Sequence, residues 1–538
     1  MIQSIILDFD NTLYNYEYAN QIALENLFSN ISDSVQHPTA DIKHKYSTIN
    51  QNVKNSNNPN NKFNKSIYIK QLLESLYISL TEYDKYLTIY NDCFYNHFKL
   101  YDGVINLLEL LKNHNIKIGI LSNNQYLQQY QKLKQANILD YIDVIQTSDE
   151  CGEEKPHLTM FWNILHKLDT KPDHTSYIGD NFCHDVEPAL QLKMLTFHFI
   201  PGCSLQITKN YIEFGCYQDL HKFFTNYFQN IKDFVFLSKY FGQSDLNVQG
   251  PGGNISVKQG QMMFIKTSGT VLANTSNFEN YCLVNNEQCL ESLEKNQKSK
   301  SKFFGDRNPS MEMYFHSFMK AYTVHIHFTL SNIFFCSDAT TLQGFTEKYK
   351  IIEYIPPGLL LAQEIKQHYD LSTDIYFLKN HGLIITSDRL NGILNLYKYI
   401  YDYFNQQLNN TFQNEWQSFE IHQLYYMEKQ LSIVVKYYNY PCQLLENLIY
   451  CFPDLAVFIE RMVIVDNLEH LKDKLGCVYD VIIVEDKVYL CGTNLQRIYA
   501  LVEILDSYKT LHQYSKKLQS IQDVNFLQNM EEEKMRKK

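Results

Sequence analysis

The pattern that most constrains the fold of this chain is a series of short apolar runs that each break off in polar residues, with helical stretches between them. Ser4 to Phe9 is a strand-like run ending in Asp8-Phe9-Asp10-Asn11-Thr12-Leu13. Ile116-Lys117-Ile118-Gly119-Ile120-Leu121 ends at Ser122-Asn123-Asn124, and Ser176-Tyr177-Ile178 delivers Gly179-Asp180-Asn181-Phe182-Cys183-His184-Asp185. Residues from about 15 to 100 read as helical, interrupted by a low-complexity stretch from Asn50 to Lys65 that reads as a loop. After Gly103, the spacing of Val104, Leu107, Leu108 and Leu111 predicts an amphipathic helix; a later helix and strand lead to Glu153-Glu154-Lys155-Pro156. Strands alternating with helices predict a parallel α/β sheet, and ligands of such sheets sit beyond the carboxyl ends of the strands. Asp8, Ser122 and Asp180 all fall there.

Composition sets the outer limits. With 538 residues, 45% of them hydrophobic, the chain can bury several cores, and three domains are expected. The net charge of -11, without a long basic run, gives no electrostatic case for nucleic acid or an acidic membrane surface. The amino terminus runs straight into a charged strand end, and no apolar segment is long enough to span a bilayer, so a soluble, cytoplasmic protein is expected. The 12 cysteines form no CxxC pairs, which fits reduced thiols.

In order, Asp8-x-Asp10-x-Thr12, Ser122, Lys155 and Gly179-Asp180 with Asp185 resemble the haloacid dehalogenase superfamily of phosphohydrolases. The resemblance covers residues 1 to about 230 and implies a Rossmann-like domain with a helical cap at about 14–100. It implies that Asp8 is the nucleophile and Asp10 the acid/base. Magnesium would be held by Asp8, the Asp10 carbonyl and Asp180, with Asp185 close by. Thr12, Ser122, Asn123 and Lys155 are the implied phosphate contacts.

The second half centres on Tyr322-Thr323-Val324-His325-Ile326-His327-Phe328, whose two-residue period puts both histidines on one strand face. Such a pair is either a set of core histidines bonded to backbone or part of a metal site. A catalytic zinc takes three protein ligands, and Asn380-His381-Gly382, after an apolar run, is the best source of the third. Earlier stand two small-residue turns, Gly250-Pro251-Gly252-Gly253-Asn254 and Thr267-Ser268-Gly269-Thr270, and the segment Asn308-Pro309-Ser310-Met311-Glu312. Free amides and hydroxyls in such turns can cradle a phosphate. Together these motifs resemble the class II aldolase and adducin family, over about 240–400. That resemblance implies zinc on His325, His327 and His381, Glu312 as acid/base near the metal, and phosphate contacts from Asn254, Ser268, Gly269 and Ser310. It also implies a homo-oligomer in which a neighbouring subunit can complete the site with an aromatic acid. Met311 stands where small aldolases commonly have a second serine.

Further on, Cys451–Ile459 reads as a strand, Val481–Gly492 as a hairpin around Glu485-Asp486 and 494–508 as a helix, ending in a charged tail at 531–538. This is similar to the carboxy-terminal α/β lobe of the longer, rhamnulose-phosphate-aldolase-like members of the family. The expected domains are therefore 1–230, 235–410 and 411–538, and the expected function is a two-headed sugar-phosphate enzyme. The alternatives are a methionine-salvage dehydratase joined to an enolase-phosphatase, an epimerase or decarboxylase on the same zinc scaffold, and an adducin-like binding module.

Overall fold

The computed structural model describes residues 2–55, 62, 64–208, 210–274, 280–298, 302–304, 307–336 and 341–408, together with the later strands and helix named below. The chain forms two compact units, Met1–Tyr227 and Phe228–Lys538.

The first unit is built on a sheet ordered β3-β2-β1-β4-β5-β7-β6. Its strands are β1 (Ser4–Leu7), β2 (Lys117–Ser122), β3 (Val144–Thr147), β4 (Thr175–Gly179), β5 (Leu195–Phe199), β6 (Gln206–Ile207) and β7 (Ile212–Phe214). All pair in parallel except β6, which runs antiparallel to β7. The stretch after Gly202 adds β6 and β7, strands too short to carry a readable alternation. Central β1 is buried along its whole length, and its Leu7 lies level with Ile120 of β2 and Ile178 of β4. A strand covered on both faces must be apolar throughout, as Ser4-Ile5-Ile6-Leu7 nearly is.

One face is covered by the helix Leu158–Leu168, which buries Met160, Phe161, Ile164, Leu165 and Leu168 with Ile6, Leu121 and Tyr177. Each such side chain stabilises the fold by roughly 1.5–3 kcal/mol on burial. A β-carbon on Gly119 would lie 2.8 Å from Ile164 Cδ1, so the sheet and helix approach closely only because β2 carries glycine there. The helix Val104–Asn113 buries Val104, Leu107, Leu108 and Leu111, the stripe its spacing predicts.

Among the described residues, the cap helices between β1 and β2 are Tyr16–Val35, Thr39–Lys54, Lys65–Ser75 and Tyr83–His97. Asn15 and Asn64 cap the first and third by accepting backbone N–H bonds. The stretch expected as a loop from Asn50 is helical through Lys54; residues 56–61 and 63 of it lie outside the described residues.

The second unit contains a mostly antiparallel sheet ordered β11-β10-β9-β8-β12-β15-β14-β13. The strands are β8 (Asn254–Gln259), β9 (Met262–Lys266), β10 (Tyr281–Asn285), β11 (Lys302–Phe304), β12 (Tyr322–Ile326), β13 (Tyr349–Ile352), β14 (Ile375–Leu378) and β15 (Gly382–Ser387). Met263, Ile265, Phe315, Tyr376 and Ile384 contribute to the core over one face. A second sheet, ordered β16-β17-β20-β19-β18, comprises β16 (His422–Gln423), β17 (Val434–Tyr438), β18 (Met462–Val465), β19 (Val481–Val484) and β20 (Lys487–Gly492). The hairpin of β19 and β20 is antiparallel, and the helix Leu495–Tyr514 follows. The strand expected at 451–459, the residues Glu485-Asp486 and the charged tail lie outside the described residues. Among the described residues no helix is long and apolar enough to cross a membrane.

Candidate functional site

In the first unit, the carboxyl ends of β1, β2 and β4 bring Asp8, Ser122 and Asp180 to one edge, with β1 at the point where the strand order reverses. Ligand atoms of Asp8, Asp180 and Asp185 lie within 4.8 Å of one another. Asp185 arrives on a single wide π turn, Phe182–Val186, folded back over Gly179. A β-carbon at Gly179 would stand 2.5 Å from Asp185 Cβ, so the Gly-Asp pair is a steric requirement. Lys155 Nζ donates to Asp8 Oδ1 at 2.6 Å and to Asp185 Oδ1 at 2.7 Å. Thr12 Oγ1 donates to Asp8 Oδ2 at 2.7 Å and to Asp180 Oδ1 at 3.1 Å.

The charge balance is uneven. Burial raises the Asp8 pKa to about 8; Lys155 opposes the rise, and Asp185 and Asp180 add to it. Burial and then Asp185 also push Asp180 upward. Burial disfavours the Lys155 ammonium, but Asp185 and Asp8 outweigh that and raise its pKa. Three carboxyl groups sharing one ammonium repel one another in a largely buried oxygen-rich cluster, and a hard divalent cation such as magnesium fits there by relieving that repulsion.

Asp10 is held differently. Its carboxylate accepts from Tyr14 Oη, from Lys132 Nζ at 2.6 Å, from Gln129 Nε2 at 2.8 Å and from Asn124 Nδ2 at 3.4 Å. Burial works against its ionisation, yet Lys132, Tyr14 and Gln129 outweigh it and keep its pKa below the usual value. Gln129 also donates to Ser122 Oγ at 2.5 Å. The sequence motifs did not include Tyr14, Gln129 or Lys132. The last two share the buried side of the helix Tyr126–Gln135 with Leu133, so polar residues on an apolar stripe were the available signal. The Asn123 amide bonds both the N–H and the carbonyl of Lys155, at 2.6 and 3.1 Å, and so fixes the lysine backbone.

In the second unit, β12 lies between β8 and β15, with His325 opposite Asn254 on one side and Ile384 on the other. His327 follows the end of the strand. His381 sits in the tight turn from β14 to β15, where Asn380 takes φ +54°, a conformation asparagine tolerates better than most residues. A β-carbon at Gly382 would meet the Ile326 carbonyl at 2.2 Å, so the glycine lets the turn close onto the histidine strand. Ligand nitrogens of the three buried histidines lie within 4.8 Å of one another, and their ring centroids are 4.8–5.1 Å apart. His325 Nδ1 lies 3.2 Å from the Leu383 carbonyl, which can only accept, so Nδ1 carries the proton and Nε2 is left to bind a metal. Three neutral imidazoles fit zinc.

Glu312 lies over this trio, 3.5 Å from His325 Nε2 and 3.5 Å from His381 Nε2. Asn254 Nδ2 donates to Glu312 Oε2 at 2.7 Å, and Asn254 Oδ1 receives His316 Nε2–H at 2.5 Å. Ser256 Oγ completes the series on His316 Nδ1 at 2.7 Å. Burial, with His325 and Lys258, holds the His316 pKa well below its ordinary value, so the ring is neutral and the two hydrogen bonds set its tautomer. Asn254, expected to touch phosphate, thus has its amide engaged in orienting Glu312. Ser268, Gly269 and Ser310 line a small cavity of about 30 Å³ with Glu312, His327 and His381. Ser268 N–H bonds the Asn308 carbonyl and Ser310 N–H the Lys266 carbonyl, which ties the two small-residue segments together.

Residues 5–198 match the haloacid dehalogenase-like hydrolase family, and residues 233–408 match the class II aldolase and adducin N-terminal domain family. The chain therefore joins a haloacid dehalogenase-like hydrolase domain to a class II aldolase-type domain, both α/β. It is 28% identical over 207 residues to a glyceraldehyde 3-phosphate phosphatase of Methanocaldococcus jannaschii, covering 38% of this chain and 86% of that one. It is 27% identical over 210 residues to a ribulose-1,5-bisphosphate 5-phosphatase of Halopiger xanaduensis, with 38% and 86% covered. Among solved structures, the N-terminal class II aldolase domain of a conserved protein from Thermoplasma acidophilum aligns at 21% identity and a TM-score of 0.31, covering 33% of this chain and 93% of that one.

Proposed function

We propose that the chain is a bifunctional sugar-phosphate enzyme, with a magnesium-dependent phosphatase in residues 1–230 and a zinc-dependent aldolase-type lyase in 235–410, followed by a carboxy-terminal lobe at 411–538. The phosphatase reading rests chiefly on Asp8, whose carboxylate is flanked by Thr12 and Lys155 beside a separately held Asp10. The phosphatase relatives support it.

Asp8 attacks phosphorus, the bond to the leaving oxygen breaks, and an aspartyl-phosphate forms. Asp10, once protonated, supplies the leaving oxygen with its proton and then takes one from the water that releases phosphate. Lys155 and Ser122 hold phosphoryl oxygens, and Asn123 keeps the Lys155 backbone in place. Magnesium, when bound by Asp8, the Asp10 carbonyl, Asp180 and Asp185, would offset the charge of the phosphoryl group and of the attacking carboxylate.

In the second domain, Glu312 moves the proton at the donor carbon while Asn254 and His316 fix its orientation. Gly269 offers its N–H, and Ser268 and Ser310 offer their hydroxyls, to the substrate phosphate. Zinc on His325, His327 and His381 would act as a Lewis acid that stabilises negative charge developing on the donor's oxygens.

The direct test is a panel of sugar phosphates given to the purified chain with magnesium and zinc, with free phosphate and aldehyde measured separately. The reading predicts both products; a chain releasing neither from any member of the panel would overturn it.

A further inference from the structure

Between the cap helices and the sheet edge of the first unit is a cavity of about 310 Å³, the size of a small-metabolite site. Lys132 and Asn124 line it and also bond Asp10, so the cavity opens directly from the acid/base. A leaving group beside Asp10 has this space next to it, across Asn124 and Lys132. Its amides, among them Asn64, Asn91 and Gln128, suit hydroxyl groups, and Tyr16, Tyr90 and Phe94 supply apolar surface.

One lining group does not fit a neutral sugar. Lys65, the first residue of the cap helix Lys65–Ser75, reaches into the cavity and forms no ion pair with a carboxylate among the described residues. Its Nζ is 3.4 Å from Tyr46 Oη and stands 6.0 and 5.3 Å from the ring centres of Tyr16 and Tyr68. Lys132 Nζ is 5.0 Å from the centre of the same Tyr16 ring, so two ammonium groups share one aromatic side chain. The second is paired with Asp10; the first is not. Burial, and then the charges of Lys54 and Lys132, lower the Lys65 pKa to about 8 against a smaller opposing pull from Asp10, which is already paired with Lys132. A partly buried cation kept among other cations is costly unless an anion joins it. Lysine is also at odds with the helix start it occupies, where the dipole favours negative charge; an anion at Lys65 would satisfy the ammonium and the dipole together, beside the Asn64 cap on Ser66 N–H.

We propose that this cavity binds the far end of a doubly anionic substrate, a phosphate ester carrying a second carboxylate or phosphate group, with Lys65 as the residue that selects it. The selection rests on the phosphatase reading above, and it narrows the substrate class from sugar phosphates in general to those with a second negative group. Lys65 is a specificity residue: it lies across Tyr16 from Lys132, which is the lysine paired with Asp10.

The test uses the full chain with magnesium and chain-length-matched phosphonate analogues whose far end is a hydroxyl, a carboxylate or a second phosphonate, with binding followed by calorimetry. The doubly anionic analogues are expected to bind at least tenfold more tightly than the hydroxyl analogue. Which of the two binds better identifies the second group. Lys65→Met should abolish that difference and Lys65→Arg should retain it. Aryl phosphate hydrolysis, which needs no far anion, should stay within about threefold of wild type in both variants. Equal binding of all three analogues by the wild-type chain, or an undiminished preference in Lys65→Met, would overturn the proposal. Loss of aryl phosphate hydrolysis from the wild-type chain would instead count against the phosphatase reading, and the binding preference would still be measured.

Discussion

The two candidate metal sites resolve the same problem in opposite ways. Around Asp8, three carboxyl groups face one lysine among the described residues, and burial and mutual repulsion hold the Asp8 and Asp180 pKa values up. Around His325, the candidate ligands are imidazole rings, and the carboxylate beside them among the described residues, Glu312, is held by an amide. A hard cation is drawn to the first by charge, whereas a borderline one is drawn to the second by nitrogen donors at suitable separation. The first site should therefore respond strongly to pH and the second chiefly to loss of a ligand.

That contrast can be broken most sharply at Asp8. Asp8→Asn should lower magnesium-dependent aryl phosphate hydrolysis by about 10³-fold or more while bound zinc stays unchanged. Activity persisting in that variant would remove the nucleophile from its assigned place. The reciprocal change, His325→Ala, should bring zinc from stoichiometric to background by metal analysis without altering the phosphatase rate. If zinc is retained, the trio is not the metal site. Glu312→Gln keeps the three imidazoles and should retain zinc, but should slow carbon-carbon cleavage by about 10²–10⁴-fold, as expected for loss of a general base.

A fourth prediction sharpens the electrostatic half. The Asp8 pKa is raised from 3.8 unfolded to about 8 folded, so the folded state holds that proton more tightly. The resulting stability is fully present below about pH 4 and is lost as pH rises towards 8. Metal-free protein should show this fall in melting temperature, magnesium should restore stability at the alkaline end, and Asp8→Asn should flatten the profile. An unchanged slope in Asp8→Asn would assign the titration to another group. The smallest effect is expected from Ser256→Ala, which removes one bond to His316 and frees its tautomer. About 1 kcal/mol of orientation would be lost, read as a roughly fivefold slower Glu312-dependent step with zinc content intact.

Much of the architecture was legible from local pattern. Asp8, Ser122 and Asp180 end apolar runs, and a run that must be buried on both faces announces itself as a central parallel strand. His325 and His327 share a face because strand geometry has a period of two, whatever surrounds it. The short β6 and β7 escaped notice because two or three residues carry no period.

Sequence by itself thus determined which residues stand at strand ends and which point the same way, since backbone geometry fixes both over a few residues. Tertiary structure alone decided who meets whom. Lys132 and Gln129 reach Asp10 across 122 and 119 positions. Asn254 meets Glu312, 58 residues away. Lys65 is left facing a cavity rather than a carboxylate. Hydrogen bonds and charge pairs between distant residues depend on how sheets and helices pack, and no local period in the chain encodes that distance.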